Sequence, residues 1–578
     1  MTCHDGGVVG SVTVRRQAKQ PVWKRLGSRA ARRLRALWPP RYSLAGLIGT
    51  VAFASVSFTP SLLPRGWLLQ AAFTGITAAV GYGVGVALGR LVRTLAGTSP
   101  SAKARRVSWL LLALLGIPVL AWTLWLGQDW QRRLHLLMGM PPPDPYAWLP
   151  MLAVASAALL LIIAAFRLLR WLVRALTAKL TPRVRPRVAR ALAVAVVFVL
   201  VAALANGLLW RALVNASGDA FGTPDRPVSE DVSMPLAPQR SGSPASLLPW
   251  DSLGRHGKNF VTSAPTVARL SEFSGAPAQR PVRIYAGLNS APDVATRAAL
   301  AVRDLRRAGG FDRKVLVVAQ ASGSGTVDPA AVQALEYMYN GDTAVVSMQY
   351  SFLPSWFSFV TDRQRAQQTG KELFDEVHRA WAALPAERRP KLLVTGTSLG
   401  AFGIEAAFDD LADVRGRTDG VVLAGPPSAG PLHQFLVNHR DPGSPQWLPV
   451  YDSGRTVRFA STSRDLWAPE ARWQWPRMVY LQHGSDPVVF WDPEIAVARP
   501  DWLVEPRAPD VSPHLTWLPL FTFWQLTADL PYAQDVPPGH GHNYRALFAD
   551  TWAAVAPPPG WTAADTLRLR SVLETIER

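Results

Sequence analysis

The sequence predicts an α/β domain on a mostly parallel, doubly wound sheet, preceded by an all-α transmembrane helical domain of about five spans. Three observations carry that expectation. Residues 1–215 hold 27 Lys or Arg and only 3 Asp or Glu, whereas residues 216–578 hold 34 and 38. The long apolar runs all lie in the basic part. From Pro281 onward, short apolar runs alternate with helical patterns, as strands and crossover helices do in parallel sheets.

Residues 1–42 form a basic tail with ten Lys or Arg, expected on the cytoplasmic side. Five runs, at about 43–63, 67–89, 107–127, 147–166 and 191–214, are long enough for a bilayer crossing, which takes roughly 20 apolar residues. Pro60 and Pro64 interrupt the first. Gly81, Gly85 and Gly89 give the second a smooth strip for close helix packing. The tail and the segments after the second and fourth runs are basic, and the other two are not. By the positive-inside rule the N-terminus is cytoplasmic, and an odd number of spans places everything after about Val214 outside a plasma membrane. Ionisable residues are nearly absent inside the runs, which reads as an anchor rather than a transporter. The charge excess belongs to membrane topology, not to nucleic-acid binding.

Cys3 is the only cysteine, so neither an intrachain disulfide nor a Cys-based metal site is expected. Residues 216–280 are rich in Pro, Ser and Gly and read as a linker or collar, with Asn215-Ala216-Ser217 fitting a glycosylation sequon.

In residues 281–578, strands are expected at "VRIYAGL", "KVLVVAQ", "TAVVSMQY", "KLLVTGT", "DGVVLAGPP" and "RMVYLQHGSDP", with helical patterns between them. Gly396-Thr397-Ser398-Leu399-Gly400 falls between a buried strand and a helix, where small flanking residues permit the strained turn that lifts a nucleophilic serine above a sheet. The acid of a triad then ends a later strand. Asp486 does so, with Asp492 as the alternative. The base precedes the last helical run "NYRALFADTWAAV", where His542 is favoured and His540 is the alternative. His483 reads as structural, and His433, His439 and His514 as packing or surface residues. An oxyanion hole is expected from the Leu399 amide together with the turn "ASGSGT", through Ser322 and Gly323. Two insertions, 428–476 and 491–537, are rich in Pro and Trp, and their aromatics read equally as an acyl pocket, a membrane-resting surface or the core of a cap. "QYSFLPSWFSFV" adds an apolar segment where substrate would enter.

The motifs "FTPSLLPRGW", "GGFDRKVLVV", "QYSFLPSW", "RPKLLVTGTSLGAFG", "QHGSDPVVFW" and "VPPGHGHNY" together resemble a bacterial, actinobacterial-type family of membrane-anchored α/β-hydrolases with an N-terminal multi-span domain. The resemblance covers most of the chain and implies an α/β-hydrolase fold and a serine-hydrolase mechanism without naming a substrate. The turn "ASGSGTVDP" departs from the Thr/Gly-rich turn and aromatic of that family, which bears on the oxyanion hole. His542-Asn543-Tyr544 is also similar to the histidine motif of secreted mycolyltransferases and esterases. The expected function is cleavage of carboxyl esters of lipid or acylated cell-envelope molecules by Ser398, Asp486 and His542 through an acyl-enzyme, with no metal and no cofactor. Acyl transfer to envelope glycolipids is the alternative, and a non-catalytic receptor or scaffold is the rival from another class.

Overall fold

The computed structural model describes residues 2, 42–97, 101–204, 233–353, 358 and 362–576. The basic tail, Cys3, the sequon at Asn215 and the end of the fifth apolar run lie outside the described residues, as does most of the stretch from Pro354 to Thr361.

The N-terminal region is helical: α1 (Leu44–Ser57), α2 (Trp67–Ala96), α3 (Ala102–Leu137), α4 (Trp148–Leu180) and α5 (Pro186–Leu204). Four of these, α2 to α5, are long and apolar enough to cross a membrane. The first expected span takes a different form. α1 has 14 residues, about 21 Å at 1.5 Å each, against a hydrocarbon core of about 30 Å. It stops at Ser57 because Pro60 and Pro64 cannot donate the amides that a helix would need there. The chain continues as an irregular turn, residues 58–66, before α2 begins. The glycine strip acts as the sequence suggests. A Cβ on Gly85 would lie 2.0 Å from Ala45 O, and one on Gly81 2.3 Å from Gly49 O, so α1 and α2 touch backbone to backbone. Side chains such as Leu110, Leu114 and Ile117 of α3 are exposed, as lipid-facing residues would be.

The C-terminal region holds a seven-stranded sheet in the order β1-β3-β2-β4-β5-β7-β6, every pairing parallel. The strands are β1 (Val282–Ala286), β2 (Val315–Gln320), β3 (Thr343–Met348), β4 (Lys391–Thr397), β5 (Gly420–Ala424), β6 (Val457–Ala460) and β7 (Arg477–Leu481). Nearly every strand residue is buried, which is why the strands read as unbroken apolar runs. β6 was not anticipated and lies inside the first expected insertion. It has four residues, and its Arg458 donates to the carbonyls of Gly454, Leu466 and Ala471.

The stretch expected to be a linker or collar is, over residues 233–280, packed structure. Helices Gly254–Thr262 and Val267–Ser274 lie in it, and Arg240 forms a parallel bridge to Arg283 at the open edge of β1. Fully buried Arg283 pairs with Glu336 through two bonds of 2.8 and 2.7 Å and donates to Phe260 O at 2.6 Å. This covering satisfies an edge that would otherwise present unpaired backbone groups.

A second apolar cluster sits apart from the sheet core. It joins Leu399 and Phe402, just after Ser398, to Phe490, to the insertion residues Trp491 and Trp502, and to Leu62 and Leu63 of the 58–66 turn. Trp491 and Trp502 are buried, so these aromatics form cap core. Two polar links fix the same contact. Gln525 Nε2 donates to Thr59 O at 3.0 Å, and the buried carboxylate of Asp529 accepts from Ser61 Oγ and from Arg65 Nε at 3.2 Å. Burial pushes the Asp529 carboxyl upward, and the Arg65 charge opposes that shift.

Candidate active site

Ser398 sits at the end of β4 with φ 58° and ψ −126°, a conformation that costs a non-glycine residue on the order of 1–3 kcal/mol. Its amide donates to Ala424 O at 2.8 Å, which ties the turn to the end of β5. A Cβ on Gly396 would lie 2.5 Å from Gly400 C, and a Cβ on Gly400 would lie 2.4 Å from Gln320 O. Glycine is therefore required on both sides for steric reasons, as the sequence pattern implied.

Asp486 is fully buried just beyond β7. Its Oδ1 accepts from the Val488 amide at 2.8 Å, and its Oδ2 from His542 Nδ1 at 2.7 Å and Tyr544 OH at 2.5 Å. The bond at Nδ1 leaves Nε2 as the basic nitrogen. His542 Nε2 is buried and has no hydrogen-bond partner among the described residues. The imidazole lies against Gly425, where an added Cβ would be 2.4 Å from His542 Cε1. Gly425 directly follows Ala424, the residue that holds the Ser398 amide, so the ring stands beside the serine turn.

Tyr544 has no role in the sequence-derived site. Burial and the Asp486 charge push its phenol well above the ordinary range, so it stays a donor. His483 stacks on it, with ring centroids 4.4 Å apart and planes 9° apart, and bonds Gly541 O through Nδ1 at 2.8 Å. Burial lowers the His483 pKa and keeps the ring neutral, in line with the structural part expected of it. Asp510 accepts from Ser485 Oγ at 2.6 Å, and Ser485 Oγ in turn accepts from the Gly541 amide at 2.8 Å. The histidine loop is thus held from both sides of His542.

The alternatives stand elsewhere. Asp492 Oδ1 accepts from the Glu494 amide at 2.8 Å and caps a short helical turn. His540 is joined through its amide to Pro537 O at 3.3 Å, and burial lowers its pKa. Behind the sheet end, His433 Nε2 pairs with Gln482 Oε1 at 2.9 Å, and burial lowers the imidazole to about 4. Burial also raises neighbouring Glu405 to about 7.

The expected second oxyanion donor needs correction. The Ser322 amide donates to Thr326 O at 2.8 Å and the Gly323 amide to Tyr350 OH at 2.7 Å, so neither is available. The Ser/Gly turn closes on itself, and Tyr285 OH holds Gly325 O at 2.7 Å. Leu399 occupies the first position of the helix Leu399–Glu405, where an amide has no carbonyl one turn back.

A parallel sheet carrying a strained serine turn, an acid beyond a later strand and a histidine ahead of the closing helices defines a protein of the α/β-hydrolase fold. The chain belongs to the alpha/beta-hydrolase family, whose model matches residues 282–569, while the model for that family's N-terminus matches residues 58–265. Searches of curated proteins and of solved structures returned no match.

Proposed function

We propose that the chain is a membrane-bound serine hydrolase that cleaves carboxyl esters of lipid or acylated envelope molecules. The observation that carries this reading is the Asp486–His542 pair, with a buried and unpartnered Nε2 beside the strained Ser398 turn. Ser398 Oγ attacks the acyl carbonyl while His542 Nε2 takes its proton. The Leu399 amide donates to the developing oxyanion. His542 returns the proton to the departing alcohol, and a water activated by the same nitrogen then releases the acid. Asp486 holds the tautomer and balances the imidazolium charge, with Tyr544 fixing the carboxylate.

The purified full chain should hydrolyse nitrophenyl esters and be inactivated by a fluorophosphonate in a one-to-one ratio. Absence of both ester turnover and labelling would remove the reading.

The same proposal places the hydrolase region outside the cytoplasm, supported by the charge asymmetry of the helical region and by the 58–66 turn reaching the hydrolase region at Asp529. Asp312 is exposed and Cys3 is the only native cysteine, so both ends can be probed. In intact cells a membrane-impermeant maleimide should label an Asp312→Cys chain at the new position and leave Cys3 unmodified. Labelling at Cys3 alone would reverse the orientation.

A further inference from the structure

The end of the helical region farthest from the hydrolase holds a large groove that the ester chemistry does not use. Arg65, in the turn just ahead of α2, touches Asp529, whereas Arg90 and Arg93 lie 25 and 28 residues further along, roughly 35–40 Å away at the helical rise. The groove runs between α1, α2, α3 and α4 and encloses about 1750 Å³. That exceeds the roughly 300–1,000 Å³ of small-molecule pockets. Its walls are apolar, with Val80, Val86, Ile163 and Phe166 among them. Its mouth is strongly basic, lined by Arg90, Arg93, Arg105, Arg170 and Arg174, while Arg167 lies over the Tyr42 ring at 4.8 Å.

The chain offers these arginines little counter-charge. Between residues 43 and 215 the acidic residues are Asp129 and Asp144 alone, and both belong to the end nearer the hydrolase. The tail that precedes Tyr42 carries ten Lys or Arg against a single Asp. A cluster of like charges at a membrane surface attracts an external anion. An anion with long apolar tails satisfies the mouth and the walls together.

The geometry points to a binding site for an anionic phospholipid, with its acyl chains in the groove between α2 and α4 and its phosphate among Arg90, Arg93, Arg170 and Arg174. The site is independent of the chemistry at Ser398. It differs from a topology signal, which needs basic residues but no groove.

The test uses the full chain in a neutral detergent, incubated with dioleoyl phosphatidylglycerol or dioleoyl phosphatidylcholine, with bound lipid counted by native mass spectrometry. Phosphatidylglycerol should be retained and phosphatidylcholine should not, and excess inorganic phosphate should fail to displace it. Combined Arg90→Gln, Arg93→Gln, Arg170→Gln and Arg174→Gln should lower retention at least about tenfold. Because that variant also weakens the topology signal, a second keeps every charge. Gly83 lines the groove and a Cβ there meets nothing within 4 Å, so Gly83→Trp brings an indole into the groove from an open position. It should lower retention comparably and leave hydrolysis of a soluble short-chain ester unchanged. Equal retention of both lipids, displacement by phosphate, or full retention by Gly83→Trp would each overturn the proposal.

Discussion

Replacing Ser398 with alanine should abolish fluorophosphonate labelling and lower ester turnover by about four to six orders of magnitude, because members of a triad act as a unit. The residual rate would come from the oxyanion donor and from binding. The substitution is structurally mild. The Ser398 amide bond to Ala424 O involves only backbone, and alanine meets the same φ of 58° with the same Cβ. Thermal stability should therefore stay within about 0.5 kcal/mol of the parent, as for substitutions that remove no packing. A variant that keeps its fold and still labels would place the nucleophile elsewhere in the chain.

The second large effect separates two histidines that stand two residues apart. His542→Ala removes the group that would accept the serine proton, and turnover should fall by several orders of magnitude. Asp486 would keep Tyr544 OH and the Val488 amide as donors, so the buried carboxylate is not stranded by the change. His540→Ala should cost less than about a hundredfold, through displacement of the loop alone. The reason is positional: His540 is fixed through its amide to Pro537 O, whereas the contact with Asp486 belongs to His542. Rates on a short-chain nitrophenyl ester, measured after confirming that both variants fold, decide between them. A larger loss for His540→Ala would move the base to His540.

Features written locally in the chain could be read from it. Unbroken apolar runs marked six of the seven strands because the sheet is buried on both faces. Gly396 and Gly400 marked the serine turn because each meets backbone atoms within 2.6 Å of where a Cβ would stand. Features that depend on distant partners could not be read. β6 is four residues long and carries an arginine whose charge is met by three carbonyls from later or earlier turns. Residues 233–280 have the composition of a linker, yet they are held by Arg283, itself paired with Glu336, and by Asp304, all of which lie further along the chain. The role of Tyr544 rests on a bond to a carboxylate 58 residues away. The Ser322 and Gly323 amides looked available because their partners, Thr326 and Tyr350, take them only in the folded turn. Two prolines flagged the weak end of the first span, but not that the chain leaving it would enter the hydrolase region.

That entry sets a problem of timing during synthesis. Ser61 and Arg65 are made early, and their partner Asp529 follows 464 residues after Arg65. At about 5–20 residues per second, the turn waits roughly 20–90 s for the carboxylate that completes it. Leu62 and Leu63 are without their apolar neighbours from the cap for much of that interval. Once closed, the contact hides an ion pair that costs about 3–5 kcal/mol to break from one side. An early-made turn and a late-made carboxylate are thereby latched together. A chain that stops before Asp529 leaves Ser61 and Arg65 without that carboxylate, an open latch that the finished chain does not have.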